Sequence, residues 1–229
     1  MSLKENLAII KDQIRSIQNQ TTGKRRVKLI AVTKTQDFQT IKTAYDCGLK
    51  SIGENRVQEA ESKFESFANM PEIEKRFIGH LQSNKVKKCL SMFDTIDSIH
   101  SLKIAKKIKN HLDQENKKIK TLIEVNMSGD EHKTGFSPKN IEEMILSINL
   151  SGLGVVGLMT IGPVSRDETE TRRAFAGLRK LKDKLNKETD KAALTELSMG
   201  MSGDYKIGIE EGSTMIRVGT ALFGNRNRY

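Results

Sequence analysis

Cysteine and proline are scarce in this chain of 229 residues, which has two of the former and three of the latter. Cys47 and Cys89 share neither a CxxC motif nor the spacing of metal ligands, so the sequence predicts no structural disulfide and no metal site. Free thiols are typical of a reducing compartment, and we therefore expect a cytoplasmic protein. Linkers rich in proline or serine are also missing, which favours a single domain over residues 1–229.

Long apolar runs are missing too. No run approaches the roughly 18 apolar residues that a membrane-spanning helix needs. Lys4 and Glu5 stand early in the chain, where a signal peptide would have its apolar segment. With 36% hydrophobic and 30% charged residues, the composition indicates a globular protein with no membrane partner.

Positive charge is in excess, with a formal net charge of +10. Many of the lysines lie on or beside one amphipathic segment, between Lys103 and Lys120. Nucleic-acid binding is one explanation, but no Phe, Tyr or Trp is interleaved there to stack on bases. We therefore interpret the segment as a solvated basic face and expect no nucleic-acid partner.

What the sequence does contain is a regular alternation of short apolar runs and amphipathic segments. It is preceded by a helix over about residues 3–19, whose apolar residues recur at steps of three and four. The predicted strands are 29–33, 51–54, 76–79, 95–99, 121–126, 155–160, 196–198 and 215–219. Eight such strand–helix units predict a (β/α)8 TIM barrel with an extra N-terminal helix. A doubly wound open sheet is the alternative.

Lys34 follows the first predicted strand, at the end where such barrels carry their chemistry. An amine that is partly desolvated there has its charged form disfavoured, so its pKa falls and it can form a Schiff base with an aldehyde. The alternative is an ordinary lysine that closes a strand.

The last two strand–helix units predict a phosphate site. Loops seven and eight of these barrels often bind a phosphate through backbone N–H groups and hydroxyls. Ser198 follows the seventh strand, and Gly219 and Thr220 follow the eighth. A plain helix cap explains the Gly-Thr pair equally well.

Arg217 interrupts the apolar eighth strand, and a buried guanidinium needs an acceptor. That acceptor is either a carboxylate of a neighbouring strand, such as Glu124, or a ligand atom. An aldehyde at Lys34, a phosphate at the last two loops and a ring acceptor at Arg217 together describe pyridoxal 5′-phosphate. An arginine at its pyridine nitrogen would leave that nitrogen unprotonated, which weakens carbanion chemistry.

Seven segments, in order along nearly the whole chain, resemble those of one family. They are Leu29–Lys34, Gly53–Glu59, Phe77–Lys85, Val125–Asn126 with Lys133–Phe136, Gly157–Met159, Leu197–Asp204 and Arg217–Gly224. As a set they are similar to the pyridoxal phosphate homeostasis proteins, which are single-domain relatives of the barrel in bacterial alanine racemase. His80 departs from the pattern, since many relatives have proline there.

The resemblance implies roles for individual residues. Lys34 would carry the cofactor as an internal aldimine, Asn55 would lie near it, and Arg217 would face the pyridine nitrogen. The predicted cofactor-binding residues are Lys34, Asn55, Ser198, Met199, Arg217, Gly219 and Thr220, of which Ser198, Gly219 and Thr220 would hold the phosphate.

Two functions fit these residues. One is a carrier that holds pyridoxal phosphate for vitamin B6 homeostasis, without substrate turnover, and supplies apo-enzymes. The other is an amino-acid racemase or decarboxylase. The alanine racemase relatives take a second base, a tyrosine, from a β-domain of a partner subunit, whereas this chain ends at Tyr229 directly after the predicted barrel. Tyr45 and Tyr205 do not stand at predicted strand ends. We therefore expect a non-catalytic, monomeric carrier.

Overall fold

A closed barrel of eight parallel strands forms the centre of the computed structural model, which describes residues 2–21, 26–165, 167–189 and 194–224. Each strand pairs with the next along the chain, and β8 pairs with β1. The strands are β1 (Lys28–Val32), β2 (Ser51–Glu54), β3 (Glu74–Phe77), β4 (Thr95–Ile99), β5 (Ile119–Glu124), β6 (Leu153–Met159), β7 (Glu196–Met201) and β8 (Met215–Val218). The predicted barrel is confirmed, and the open-sheet alternative is wrong because β1 and β8 leave no edge between them.

Helices surround the barrel. They are α1 (Leu3–Gln20), α2 (Phe38–Asp46), α3 (Val57–Phe64), α4 (Val86–Met92), α5 (Leu102–Glu115), α6 (Ile141–Asn149), α7 (Glu168–Glu188), α8 (Tyr205–Glu210) and α9 (Thr220–Phe223). Two 3-10 segments, Glu65–Asn69 and Ser83–Lys85, extend α3 and precede α4. Within the described residues, no helix is both long and apolar enough to cross a membrane.

The extra N-terminal helix α1 begins at a capping box, in which Ser2 and Glu5 satisfy each other's backbone N–H groups. Its apolar stripe buries Leu7, Ile10 and Ile14. This stripe packs in the same core cluster as residues of α2, α8 and α9. The helix therefore covers the outside of the barrel next to its closing strands.

The barrel interior has an apolar floor and a polar upper layer. Ile30, Leu122, Met159 and Met215 form the interior apolar cluster, while alternate residues of the same strands face the helices. Past this cluster, the interior positions become polar or charged toward the carboxyl ends of the strands. We call those ends, with the loops that follow them, the mouth of the barrel.

Several predicted boundaries shift in the structure. The Ser137-Pro138 pair predicts a helix start, but α6 begins at Ile141 because the backbone N–H of Asn140 donates to the carbonyl of Ser137 and forms a turn first. Residues 22–25, before β1, and the terminal Tyr229 lie outside the described residues.

Candidate functional site at the barrel mouth

Lys34 lies on a tight turn directly after β1. The turn is closed by a hydrogen bond of 2.9 Å from the N–H of Gln36 to the carbonyl of Thr33. Thr35, the next residue, has a φ of +66°, a left-handed conformation that costs a non-glycine residue about 1–3 kcal/mol. Lys34 itself is half-buried, and the alternation of β1 puts it on the same side as the interior Ile30. Lys34 thus lies at the carboxyl end of β1, and its role as the cofactor's lysine stays a prediction.

Behind the turn lies a buried carboxylate, Glu54, at the end of β2. Its Oε1 accepts a hydrogen bond of 2.7 Å from the hydroxyl of Thr33. Burial raises the pKa of Glu54, and the hydrogen bond from Thr33 and the charge of Lys63 offset only part of that effect. Its second oxygen, Oε2, is buried and accepts no hydrogen bond from the described residues.

Arg217 points into the barrel from β8 and is only 4% exposed. Its guanidinium donates to Ser198 Oγ at 2.7 Å and to the carbonyl of Thr160 at 2.8 Å. Burial lowers its pKa, against the opposing charges of nearby acidic residues, Asp97 first among them. Glu124, the carboxylate named as an alternative partner, instead accepts from Thr134 at 2.9 Å. Arg217 thus forms no ion pair with any carboxylate of the described chain.

A second buried arginine, Arg76, does form an ion pair with a carboxylate, which the sequence did not indicate. Arg76 on β3 forms a two-pronged pair with Asp97 on β4, at 2.8 and 2.9 Å. Burial opposes the charge of Arg76, but Asp97 and Glu74 outweigh it and raise its pKa. Asp97 is therefore wholly buried and already paired inside the barrel.

The two loops predicted to bind phosphate meet at one hydroxyl. Ser202 Oγ accepts hydrogen bonds from the N–H groups of Gly219 and Ala221, each at 3.2 Å. Thr220, between them, is exposed. Gly219 lies against β1, because a Cβ there would stand 3.4 Å from the Cβ of Val32, two residues before Lys34. Ser202 was missed as a site residue, although it stands in a glycine-flanked loop after β7.

The structure separates the two predicted residues of β7. Ser198 is fully buried and accepts the hydrogen bond from Arg217. The side chain of Met199, in contrast, packs in the outer hydrophobic core between the barrel and its helices, and its carbonyl accepts a hydrogen bond of 2.8 Å from Ser213. Only the backbone of Met199 is therefore near the mouth.

Asn55 follows β2 at the mouth, and the oxygen of its side chain is available as a hydrogen-bond acceptor. Its Oδ1 is buried and has no hydrogen-bond partner among the described residues. A cavity of about 560 Å³ opens beside it, lined in part by Arg56, His80 and Lys85. No acidic side chain lines this cavity, so its polar lining suits an anionic or hydrogen-bond-donating ligand.

These groups fit a phosphorylated aldehyde of the kind predicted. The N–H groups of Gly219 and Ala221 and the hydroxyl of Ser202 are hydrogen-bonding groups of the type that bind a phosphate. They lie beside β1, whose last turn carries an amine. Arg217 is the buried cation beside β7, and its guanidinium donates to Ser198 and to the carbonyl of Thr160. Lys34 would bind the aldehyde carbon, and the buried Oδ1 of Asn55 would accept a hydrogen bond from the ligand.

Comparison with known proteins identifies related chains. Residues 6–227 match the family described as alanine racemase, N-terminal domain. The pyridoxal phosphate homeostasis protein of Aquifex aeolicus is 39% identical over 228 residues, which cover 99% of each chain. Among solved structures, PipY of Synechococcus elongatus with PLP bound has a TM-score of 0.85 at 33% identity, covering 97% of this chain and 100% of that chain.

More distant neighbours share the fold. An alanine racemase of Clostridium difficile superposes with a TM-score of 0.74 at 18% identity, covering 97% of this chain but 56% of the racemase. At that identity the likeness shows the barrel alone. The chain belongs to the alanine racemase N-terminal domain family, and within it to the pyridoxal phosphate homeostasis proteins.

Proposed function

We propose that this protein binds pyridoxal 5′-phosphate through a Schiff base on Lys34 and acts in intracellular vitamin B6 homeostasis, as a carrier without substrate turnover. The observation that carries the proposal is full-length similarity to PipY, whose structure has PLP bound. The half-buried amine after β1 and the N–H groups of Gly219 and Ala221 beside it support the same ligand. When bound, the cofactor supplies an electrophilic aldehyde on an electron-withdrawing ring.

The guanidinium of Arg217 supports the non-catalytic part of the proposal. A guanidinium that faced the pyridine nitrogen would not stabilise the protonated form of that nitrogen, unlike a carboxylate. The ring would then withdraw electrons less strongly, and proton removal from an amino acid would be slower. Hydrogen bonds to Ser198 and to the carbonyl of Thr160 hold the guanidinium inside the barrel.

The positions of Tyr45 and Tyr205 also support a role without catalysis. Tyr205 donates its hydroxyl hydrogen bond to Gln13 of α1, in the outer helical layer. Tyr45 lies on α2, where the ammonium of Lys50 stands 4.7 Å from its ring centroid. Neither is therefore placed as the second base that a two-base racemisation requires.

Reduction with borohydride tests the Schiff base. The protein mixed with pyridoxal phosphate should show a visible absorption band, and reduction should fix the label on Lys34, as read by peptide mass spectrometry. Lys34→Ala should abolish both. Lys133→Ala is the matched control, because that amine is already hydrogen-bonded to the carbonyl of Gly162 at 2.7 Å. Label that persists in Lys34→Ala, at Lys133 or Lys85, contradicts the assignment.

Exchange of the α-proton of L-alanine in deuterated water separates the carrier from the racemase. We expect no exchange above that of free cofactor, and exchange at enzyme-like rates would instead establish the racemase. We also infer a cytoplasmic monomer that passes its cofactor to apo-enzymes. That inference predicts faster reactivation of an apo-enzyme by the loaded protein than by an equal concentration of free cofactor, and a monomer mass in light scattering.

A further inference from the structure

Both peptide groups that flank Lys34 are bound by side chains of one helix. The ammonium of Lys63 on α3 donates to the carbonyl of Thr33 at 2.9 Å. One turn earlier on α3, the carboxylate of Glu59 accepts the backbone N–H of Thr35. The segment Thr33–Thr35 is therefore held before and after Lys34, without any contact to the lysine side chain being needed.

The two side chains belong to a larger cluster that is largely removed from water. Lys63 Nζ lies 2.7 Å from Glu59 Oε1 and 3.0 Å from Glu54 Oε1. The side chains of Lys63 and Glu54 are 11% and 0% exposed. Glu54 in turn accepts the hydroxyl of Thr33. We call Glu54, Glu59 and Lys63 the α3 clamp.

Burial of Lys63 and Glu54 restrains the clamp more firmly than a surface ion pair would, and Glu59, whose side chain is 25% exposed, is tied to it through Lys63. Exposed pairs are screened and mobile, whereas a buried cluster must keep its hydrogen bonds because unpaired charges are costly there. Burial opposes the charge of Glu59, but the hydrogen bonds from Lys63 and Thr35 together lower its pKa. The acceptor for Thr35 therefore stays ionised at neutral pH.

The turn needs such restraint because of Thr35. A β-branched residue at φ +66° is strained and persists only where its surroundings over-determine the backbone. Without the bond from its N–H to Glu59, Thr35 can relax to a negative φ. That rotation would disrupt the turn closed by the N–H of Gln36 and the carbonyl of Thr33, and would release the peptide group that follows Lys34.

We propose that Glu59 and Lys63, buttressed by Glu54, are positioning residues that keep the amine of Lys34 aimed into the barrel mouth at reacting distance from an aldehyde. The proposal rests on the proposed function, in which Lys34 forms the Schiff base. A displacement of a reacting group by about 1 Å can slow a reaction on the order of 100-fold, so the clamp should govern how fast Lys34 captures the aldehyde.

Two substitutions at Glu59 test the clamp while leaving the Lys63–Glu54 contact in place. Glu59→Leu removes the acceptor for Thr35, and Glu59→Gln keeps an acceptor oxygen. We expect the rate of borohydride-fixed labelling of Lys34 by pyridoxal phosphate to fall about 10- to 100-fold in Glu59→Leu. Glu59→Gln should recover most of the rate. The matched control is Asp113→Leu, which removes the same kind of ion pair, to Lys109, from α5.

A second readout does not involve the cofactor. Backbone amide exchange of Thr35, measured by NMR on the cofactor-free protein, should be slow in the parent and in Glu59→Gln and should quicken at least tenfold in Glu59→Leu, since an unbonded exposed amide loses protection. Lys63→Arg should retain protection, because its guanidinium still pairs with Glu59, the acceptor of the Thr35 N–H.

The outcomes separate this proposal from the function on which it rests. If Lys34 of the parent protein takes no label, the Schiff base and its positioning both fall. If the parent and Asp113→Leu are labelled normally and Glu59→Leu loses its Thr35 protection yet is labelled at the parent rate, the clamp alone is overturned. The clamp is also overturned if labelling of Glu59→Leu slows only together with a loss of amide protection throughout the barrel.

Discussion

Replacing Arg217 with methionine should separate cofactor binding from folding. The guanidinium gives two hydrogen bonds, of 2.7 and 2.8 Å, to Ser198 and Thr160. Hydrogen bonds of charged groups contribute about 1.5–3 kcal/mol each, so their loss removes about 3–6 kcal/mol. The substitution also removes a buried charge whose desolvation costs several kcal/mol. Because the two effects oppose each other, we expect the free energy of unfolding to change by less than about 2 kcal/mol.

The assay pairs urea unfolding of the cofactor-free protein with titration of pyridoxal phosphate into the folded protein. Arg217→Met should weaken cofactor binding at least about tenfold, which corresponds to the loss of one charged hydrogen bond. Arg76→Met provides the contrast, because it strands the buried carboxylate of Asp97. That variant should lose about 3–5 kcal/mol of unfolding free energy.

Two results would refute this reasoning about Arg217. If Arg217→Met is destabilised as strongly as Arg76→Met, the guanidinium is a structural group and the opposing desolvation was overestimated. If the variant is stable but binds pyridoxal phosphate with unchanged affinity and an unchanged absorption spectrum, Arg217 does not face the ligand.

Three further predictions concern stability and reactivity. Burial raises the pKa of Glu124 above its ordinary value of 4.5, so the folded state binds that proton more tightly than the unfolded state does. The free energy of unfolding should therefore fall as the pH rises from 4.5 through the raised pKa. In a plot of the urea midpoint against pH, Glu124→Gln should remove most of the fall over that pH range. Gly79→Ala would place a Cβ 2.1 Å from a backbone oxygen, whereas a Cβ at Gly203 would meet no described atom within 4 Å. In urea unfolding, Gly79→Ala should therefore lose about 1–3 kcal/mol of unfolding free energy. Gly203→Ala should lose under about 0.5 kcal/mol. Burial raises the pKa of the Cys89 thiol, so a thiol reagent should label half-buried Cys47 in the native protein and Cys89 only after unfolding.

Much of the fold could be predicted because its signals are local. The boundaries of β2 and β4 agree with the predicted strands residue for residue, since each is a short run flanked on both sides by a polar or charged residue. The predicted start of α6 was three to four residues early. Turn chemistry after a serine–proline pair competes with helix initiation there, and sequence periodicity does not resolve the two.

The candidate site was predicted unevenly. Lys34 and Gly219 both follow strands, as the sequence predicted, because strand ends of a parallel barrel meet at one rim, whichever residues fill the interior; their part in cofactor binding stays a prediction. The inward or outward direction of a residue depends on register, and a single-residue shift reverses it. For that reason Met199, predicted as a cofactor-binding residue, turns its side chain to the outer core. Ser202 was missed because its contacts join two loops that are 17 residues apart.

The sequence by itself determined the barrel, the order of its strands and the lysine that follows the first one, because these follow from apolar periodicity and from the residues that interrupt it. Only the tertiary structure decided which charges meet. It paired Arg76 with Asp97, left Arg217 without a carboxylate, and brought Lys63 and Glu59 against the turn of Lys34. Pairing of this kind depends on distances of a few ångströms between residues far apart in the chain, and those distances exist only once the barrel has closed.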